Sequence, residues 1–157
     1  MNLNDVIYLK SSNEKLMITW LVGITENKDF PIDVNKALMM RPDYQSGDIS
    51  VKDGKGKKAT IPGNGLIENL SKRIPATDNN LSVGNVVKHR LTDEEMTIIW
   101  IIGQNQISKG PLNFNELSKR QGFKDGDILC GYIEKKEYKT NFFKVYDVEK
   151  FTNKYFC

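Results

Sequence analysis

The feature that most constrains the fold of this chain is an internal repeat with a spacing of 80 residues. Residues 81–103 align without a gap on residues 1–23. The shared positions include a valine, a tryptophan and a glycine: Val6 and Val86, Trp20 and Trp100, Gly23 and Gly103. Repeat arrays need at least about three copies, so two copies predict a duplicated small domain.

The alignment continues in a looser form after residue 23. The spacing of 80 is kept by a proline and an asparagine: Pro31 and Pro111, Asn35 and Asn115. The sequence "GDI" at 47–49 recurs at 126–128, and "LIENL" at 66–70 is aligned with "DVEKF" at 147–151. The spacing of these two segments differs from 80 by one residue, and such length changes accumulate in loops while strands keep their register. We predict one domain over residues 1–73, a polar linker over 74–80 and a second domain over 81–157.

Within each copy the apolar residues recur mostly with a period of two, which indicates strands. "DVIYLK" and "NVVKHR" are each followed by a polar turn and then by "KLMITWLVG" or "EMTIIWIIG", which predicts a hairpin. A short helix follows in "VNKALMM" or "FNELSKRQ", with Asp33 or Asn113 as the N-cap. A second hairpin joins "DISVKD" to "KKATIP" and "DILCGYIE" to "EYKTNFFKV", and a helical turn is predicted at "LIEN" and "DVEK". The chain is therefore predicted to be mainly β, with two tandem small barrels of the SH3-like kind and short inserted helices.

The long second strand of each copy is apolar on both faces. A half-exposed strand alternates apolar with polar residues, so these strands are predicted to be covered on both sides. From this we expect the two domains to pack together.

The composition excludes few functions. The 157 residues include 23 basic and 20 acidic side chains, for a formal charge of +3, which does not indicate nucleic-acid or membrane binding. We see neither a secretory signal at the N-terminus nor an apolar run of about 20 residues. The two cysteines, Cys130 and Cys157, form no disulfide framework. We expect a reduced, cytoplasmic protein without a membrane partner.

The second copy resembles a known family. "VGNVVKHRLTDEEMTIIWIIG" followed by "DILCGYIEKKEYKTNFFKVYDVEKF" is similar to the YodC-like family of small uncharacterised bacterial proteins. The matching residues are Gly84, Val86, Val87, Met96, Thr97, Ile98, Cys130, Tyr132, Phe142 and Phe151. The resemblance implies a bacterial protein with a small SH3-like β-barrel and no established activity. In the first copy Val51 stands in place of Cys130 and Asp53 in place of Tyr132, so the resemblance there covers only the front of the copy.

One histidine and one internal cysteine are the candidates for catalysis. His89 and Cys130 lie on predicted strands of one copy, where a nucleophilic pair is conceivable. However, they replace Leu9 and Val51 of the first copy, so we interpret both as packing residues. The single histidine and two cysteines lack the spacing of zinc ligands. We predict no catalytic residue, no metal and no cofactor.

Two further motifs have a structural and a functional interpretation. The loop "DGKGKKATIPGNG" at 53–65 lacks the Gly-Lys-Ser/Thr of a phosphate-binding loop, so a hairpin turn is favoured over a nucleotide site. Its lysines and Lys52 remain candidates for contact with a polyanion. Trp20 and Trp100 could stack on nucleic-acid bases, but apolar neighbours on both sides favour core packing.

The candidate binding surface is the segment "GYIEKKEYKTNFFKVYDVEKF" at 131–151, where lysines alternate with aromatic rings. Its proposed contact residues are Tyr132, Lys135, Lys136, Tyr138, Lys139, Phe143 and Lys144. Such a composition is typical of surfaces that bind RNA or single-stranded DNA, but acidic residues in the same segment dilute the charge. We predict a non-enzymatic binding or adaptor protein whose partner is a protein, with weak nucleic-acid binding as the alternative.

Overall fold

The computed structural model describes residues 1–24, 35–36, 40–76, 80–104 and 114–151. The chain divides into two compact units, Met1–Ala76 and Thr77–Cys157. Each unit contains one five-stranded antiparallel sheet, and the two sheets have the same strand order. The chain is therefore mainly β, as the strand patterns predict.

The first unit consists of two hairpins, a helix and a closing strand. Its elements are β1 Val6–Leu9, β2 Lys15–Leu21, β3 Ile49–Lys52, β4 Lys58–Ile61, α1 Gly63–Asn69 and β5 Leu70–Ile74. The strands lie in the order β4-β3-β2-β1-β5. Asn35 and Lys36 are helical, whereas the predicted cap Asp33 lies outside the described residues.

The second unit repeats this arrangement. Its elements are β6 Val86–His89, β7 Glu95–Ile101, α2 Phe114–Arg120, β8 Ile128–Glu134, β9 Glu137–Phe143, a 3₁₀ turn Val145–Asp147 and β10 Val148–Lys150. The strand order is β10-β6-β7-β8-β9. Helix α2 confirms the helix predicted in "FNELSKRQ", but its predicted cap Asn113 lies outside the described residues. Gly122 follows the helix with φ 81, a value that favours glycine after a C-terminus.

The cores of the two units occupy equivalent positions. The first is formed by Ile7, Leu16, Ile18, Ile49, Val51 and Leu66. The second is formed by Val87, Met96, Ile98, Ile128, Cys130 and Val148. Five of the six positions match pairwise along the repeat, and each buried side chain contributes about 1.5–3 kcal/mol. The inward-facing residues of equivalent strands therefore form an equivalent core in each unit.

The predicted helical turn at "DVEK" is wrong. Val148–Lys150 is strand β10, and the turn precedes it at Val145–Asp147. The alignment of "LIENL" on "DVEKF" is also wrong. The backbone N–H of Lys10 donates to the carbonyl oxygen of Asn69, and the backbone N–H of Arg90, the counterpart of Lys10, donates to the carbonyl oxygen of Asp147. Asn69 therefore corresponds to Asp147, and local similarity misaligned the end of the repeat.

The prediction that both faces of the second strand are covered holds in the first unit only. In β2, Leu16, Met17 and Ile18 are all buried, so both faces are covered there. In β7, Met96 and Ile98 are buried but Thr97 between them is exposed. The first half of β7 therefore has one covered and one open face.

Repeated polar residues in the described segments form turns and brace loops. The Asn35 carbonyl oxygen accepts the indole N–H of Trp20 at 2.8 Å and the backbone N–H of Gly23 at 2.9 Å. Asp5 and Asn85 accept backbone N–H groups three residues earlier, at Asn2 and Ser82. These polar residues therefore recur in both copies because their side chains stabilise turns and loops.

Within the described residues, no helix has the length and apolar character required to cross a membrane.

Candidate functional site

The hairpin β8–β9 carries most of the predicted binding residues. Its two strands pair in register from Ile128↔Phe143 to Glu134↔Glu137. Lys135 and Lys136 form the two-residue turn, with φ values of 51° and 68°. Two positive φ values define a type I′ turn, which normally contains Asn-Gly. The tip is therefore a well-formed hairpin turn with unfavourable residues at both central positions.

The register places the predicted aromatic residues on opposite faces. Tyr132 pairs with Lys139, and Ile128 with Phe143, on the face that carries the core. Tyr138 pairs with Ile133 on the other face, together with Gly131. Alternate residues of a strand point to opposite faces. The predicted surface is thus divided between two faces.

The aromatic residues of the inner face pack against the core. Tyr132 and Phe143 are half-buried, with ring centroids 6.2 Å apart in an edge-to-face arrangement. His89 meets the other edge of Phe143, with 5.8 Å between ring centroids. Edge-to-face pairs of this kind stabilise a core. Phe143 is therefore a core residue with limited access to a ligand, whereas Tyr132 combines core packing with a partly exposed side chain.

Two of the four predicted lysines are in ion pairs. Lys139 forms an ion pair with Glu134 across the hairpin, and this contact lowers the pKa of Glu134 and raises the pKa of Lys139. The ammonium of Lys144 lies 3.2 Å from the buried carboxylate of Asp127 and 2.6 Å from the carbonyl oxygen of Gly122. The same group lies 4.7 Å from the ring centroid of Phe123. Lys144 therefore braces the start of β8, and the exposed cationic residues are Lys135 and Lys136 at the tip.

The open face of the second sheet carries exposed apolar side chains. Val86 is 41% exposed, Ile133 72% and Tyr138 69%. They lie along a shallow groove of about 430 Å³ that we call the outer groove, lined by Val86, Glu95, Met96, Thr97, Gly131, Tyr132, Ile133 and Tyr138. Exposed apolar residues that adjoin one another mark binding surfaces more often than scattered ones do. The outer groove is therefore an exposed apolar surface of the second unit that a ligand could contact.

A glycine forms the floor of the outer groove. A Cβ atom on Gly131 would lie 2.1 Å from the hydroxyl oxygen of Tyr138 and 3.0 Å from Cδ1 of Ile99. The Tyr138 side chain therefore folds back over the glycine backbone from the neighbouring strand. Sequence reasoning included Tyr138 but missed Val86 and Ile133. The available signal was Gly131 inside a strand, which often marks close approach of another group.

Two of the equivalent positions in the first unit are buried. Val6 and Met17 are 2% and 0% exposed, whereas their counterparts Val86 and Thr97 lie on the surface. The counterpart of Gly131 is Lys52, which pairs with Met17 as Gly131 pairs with Thr97. The outer groove is thus a property of the second copy and not of the repeat.

His89 and Cys130 have separate structural roles. The Nδ1 atom of His89 accepts the backbone N–H groups of Leu91 and Thr92, both at 3.2 Å, which caps the turn between β6 and β7. Cys130 is completely buried, and burial raises the pKa of its thiol to about 12. A nucleophilic cysteine needs a lowered pKa and access to substrate. Neither condition is met, which supports the packing interpretation of Cys130.

The glycine-rich loop of the first unit is a hairpin turn. A side-chain oxygen of Asp53 accepts the backbone N–H groups of Lys55 and Lys57, at 2.8 and 2.9 Å. The strands on either side, β3 and β4, pair directly. The turn interpretation is therefore confirmed for residues 53–57, whereas Gly63 and Gly65 of the same motif lie in helix α1. Trp20, engaged with Asn35, is half-buried, in agreement with a packing role.

In the segments that the structure describes, no three His, Cys, Asp or Glu side chains are grouped so that they could hold a metal ion. Comparison of the chain with known protein families, with curated proteins and with solved structures found no match. The functional interpretation accordingly rests on the geometry of the chain itself.

Proposed function

We propose that this chain is a non-enzymatic protein-interaction module that binds its partner at the outer groove. The observation that carries the proposal is the exposure of Ile133, Tyr138 and Val86 around one groove on the open face of the second sheet. Burial of an isoleucine or tyrosine at an interface contributes about 1.5–3 kcal/mol. Tyrosine is also among the residues that most often dominate interface energies.

The distribution of charge favours a protein over a nucleic acid. Residues 133–140 contain three lysines and two glutamates, a net charge of +1. Of the lysines, Lys139 is paired with Glu134. Nucleic-acid affinity depends on how many phosphates are neutralised, and this hairpin offers few cations for that. The exposed Lys135 and Lys136 at the tip favour weak nucleic-acid binding as the second candidate.

The proposal also includes the fold family of each unit, the source and location of the protein, and its lack of enzymatic activity. We interpret each unit as an SH3-like barrel of the kind that the resemblance to the YodC-like family implies, in a bacterial, cytoplasmic protein. Five antiparallel strands in the order 4-3-2-1-5 support this interpretation of the fold. The non-enzymatic assignment is supported by the buried thiol of Cys130 and by the turn-capping role of His89.

The test is affinity capture with the full chain and two matched variants. Ile133→Ser removes the most exposed apolar side chain of the outer groove, and Ile24→Ser removes an isoleucine that is 64% exposed in the first unit. We expect Ile133→Ser to lose the proteins captured by the wild type, and Ile24→Ser to retain them. Because both side chains are exposed, neither change affects folding by more than about 0.5 kcal/mol.

A nuclease treatment separates the two candidates. Protein capture through the outer groove survives nuclease and is unchanged in Lys135→Ala/Lys136→Ala. Capture that is lost with nuclease and with the lysine variant, but retained in Ile133→Ser, would refute the proposal in favour of nucleic-acid binding.

A further inference from the structure

We propose that two copies of this chain associate by antiparallel pairing of their β9 strands. Strand β9 is at the edge of its sheet, and in the part of the chain that the structure describes it pairs only with β8. It is seven residues long, and Tyr138, Thr140 and Asn141 are exposed along it. An exposed edge strand presents unpaired backbone groups to another strand.

The hydrogen-bonding groups of alternate residues point to the open edge. The turn Lys135–Lys136 makes Glu134↔Glu137 the first hydrogen-bonded pair of the hairpin. The residues of β9 that bond to β8 are then 137, 139, 141 and 143. Tyr138, Thr140 and Phe142 direct their N–H and C=O groups away from β8. The N–H of Phe142 accordingly donates to the Asn141 side chain, at 2.9 Å.

Apart from the N–H of Phe142, which already donates to the Asn141 side chain, the edge lacks the usual features that prevent strand addition. Proteins protect edge strands with proline, with bulges or with charges. Strand β9 contains no proline, and its register with β8 is continuous from end to end. Its one lysine, Lys139, is held by Glu134 on the same hairpin. The middle of the edge is therefore available to an incoming strand.

The sequence of β9 is complementary to itself in one register. With the two-fold axis at Thr140, the strand "EYKTNFF" places Thr140 opposite Thr140 and Tyr138 opposite Phe142 of the second copy. Lys139 then faces Asn141, so no like charges are opposed between residues 137 and 143. Beyond the strand ends Lys136 comes opposite Lys144, whose charge is neutralised by Asp127. Threonine pairs are among the favourable cross-strand combinations. The rings of Tyr138 and Phe142 pack within their own sheet, over Gly131 and against Phe123, so the threonine pair carries the complementarity.

The neighbouring registers are less favourable. An axis at Lys139 places the two copies of this lysine opposite each other, which is destabilising. An axis at Asn141 replaces the Tyr138–Phe142 pairs with Tyr138 opposite Lys144. The Thr140 register therefore selects a second copy of this chain as the occupant of the edge.

The test is sedimentation equilibrium of the full chain over a range of concentrations. Thr140→Pro removes an N–H that points away from β8, so it leaves the hairpin ladder intact. The loss of one hydrogen bond from each copy raises the dissociation constant of the dimer by about 30-fold. Thr140→Val keeps the N–H and is the matched control, for which we expect an unchanged constant.

Charge variants test the position of the two-fold axis. Thr140→Lys and Thr140→Glu each oppose like charges and raise the dissociation constant by about 5-fold. An equimolar mixture of the two variants restores association, because opposite charges then meet at the axis. The proposal is overturned if the wild type is monomeric at every concentration at which it stays soluble, or if Thr140→Pro associates like the wild type. Failure of this pairing leaves the outer groove and its Ile133→Ser test unaffected.

Discussion

The two lysines at the tip of β8–β9 predict a substitution that stabilises the protein while it removes charge. Lys135 and Lys136 both have positive φ, and a left-handed conformation costs a residue with a side chain about 1–2 kcal/mol. Asparagine tolerates this conformation and glycine adopts it without strain. Replacement of the pair by Asn-Gly therefore relieves strain at both positions.

The net gain is smaller than the relieved strain. Glycine increases the entropy of the unfolded chain, which offsets about 0.4–1 kcal/mol. We expect Lys135→Asn/Lys136→Gly to stabilise the second unit by about 1–2 kcal/mol. Because the chain has two units, a single unfolding free energy does not describe it, and the assay must resolve the hairpin.

Hydrogen exchange with peptide-level resolution measures the effect where it occurs. The amides that join β8 and β9 should exchange about 5- to 30-fold more slowly in the Asn-Gly variant, and amides of the first unit should be unchanged. Lys135→Ala/Lys136→Ala is the control, since it removes the same charges but keeps a Cβ atom at both positions. If the alanine variant slows exchange as much, repulsion between the lysines and not backbone strain governs the turn; if Asn-Gly gives no slowing, the strain argument is refuted.

Two further predictions concern a buried thiol and a closely packed glycine. In a Cys157→Ser background, Cys130 should react with a thiol reagent only as fast as the protein opens, because a pKa of about 12 lowers its thiolate fraction at pH 8 by more than about 1,000-fold; rapid labelling of the native protein would revive a reactive role. Gly23→Ala should cost about 2–4 kcal/mol in urea unfolding, because φ is 76° and its Cβ would lie 2.5 Å from the Ser46 hydroxyl oxygen. Gly47→Ala, with φ 96° and no atom within 4 Å of its Cβ, should cost only about 1 kcal/mol, and equal costs for the two variants would contradict the packing argument.

Much of the fold could be predicted because its signals are local. The β-branched and aromatic residues of "KLMITWL" and "EMTIIWI" identified β2 and β7, and Asp53-Gly54 identified the turn between β3 and β4. Closing strands β5 and β10 were missed. Their sequences, "LSKRI" and "VEK", are short and polar, and they become strands by pairing with β1 and β6, which lie about 60 residues earlier.

The candidate site was predicted only in part, since a site depends on which faces are covered. The seven predicted residues share one segment of sequence, but period-two alternation separates Tyr138 from Tyr132 and Phe143. Lys144, which was also predicted to contact a ligand, neutralises Asp127, 17 residues earlier.

The sequence by itself determined the duplication, the hairpins and the equivalent cores, because backbone periodicity and turn chemistry act between near neighbours. Only the tertiary structure decided that Val86, Ile133 and Tyr138 line one groove, with the Tyr138 side chain over Gly131. These residues come from three strands of the sheet, and their exposure depends on what the rest of the chain leaves uncovered. No local pattern contains that information.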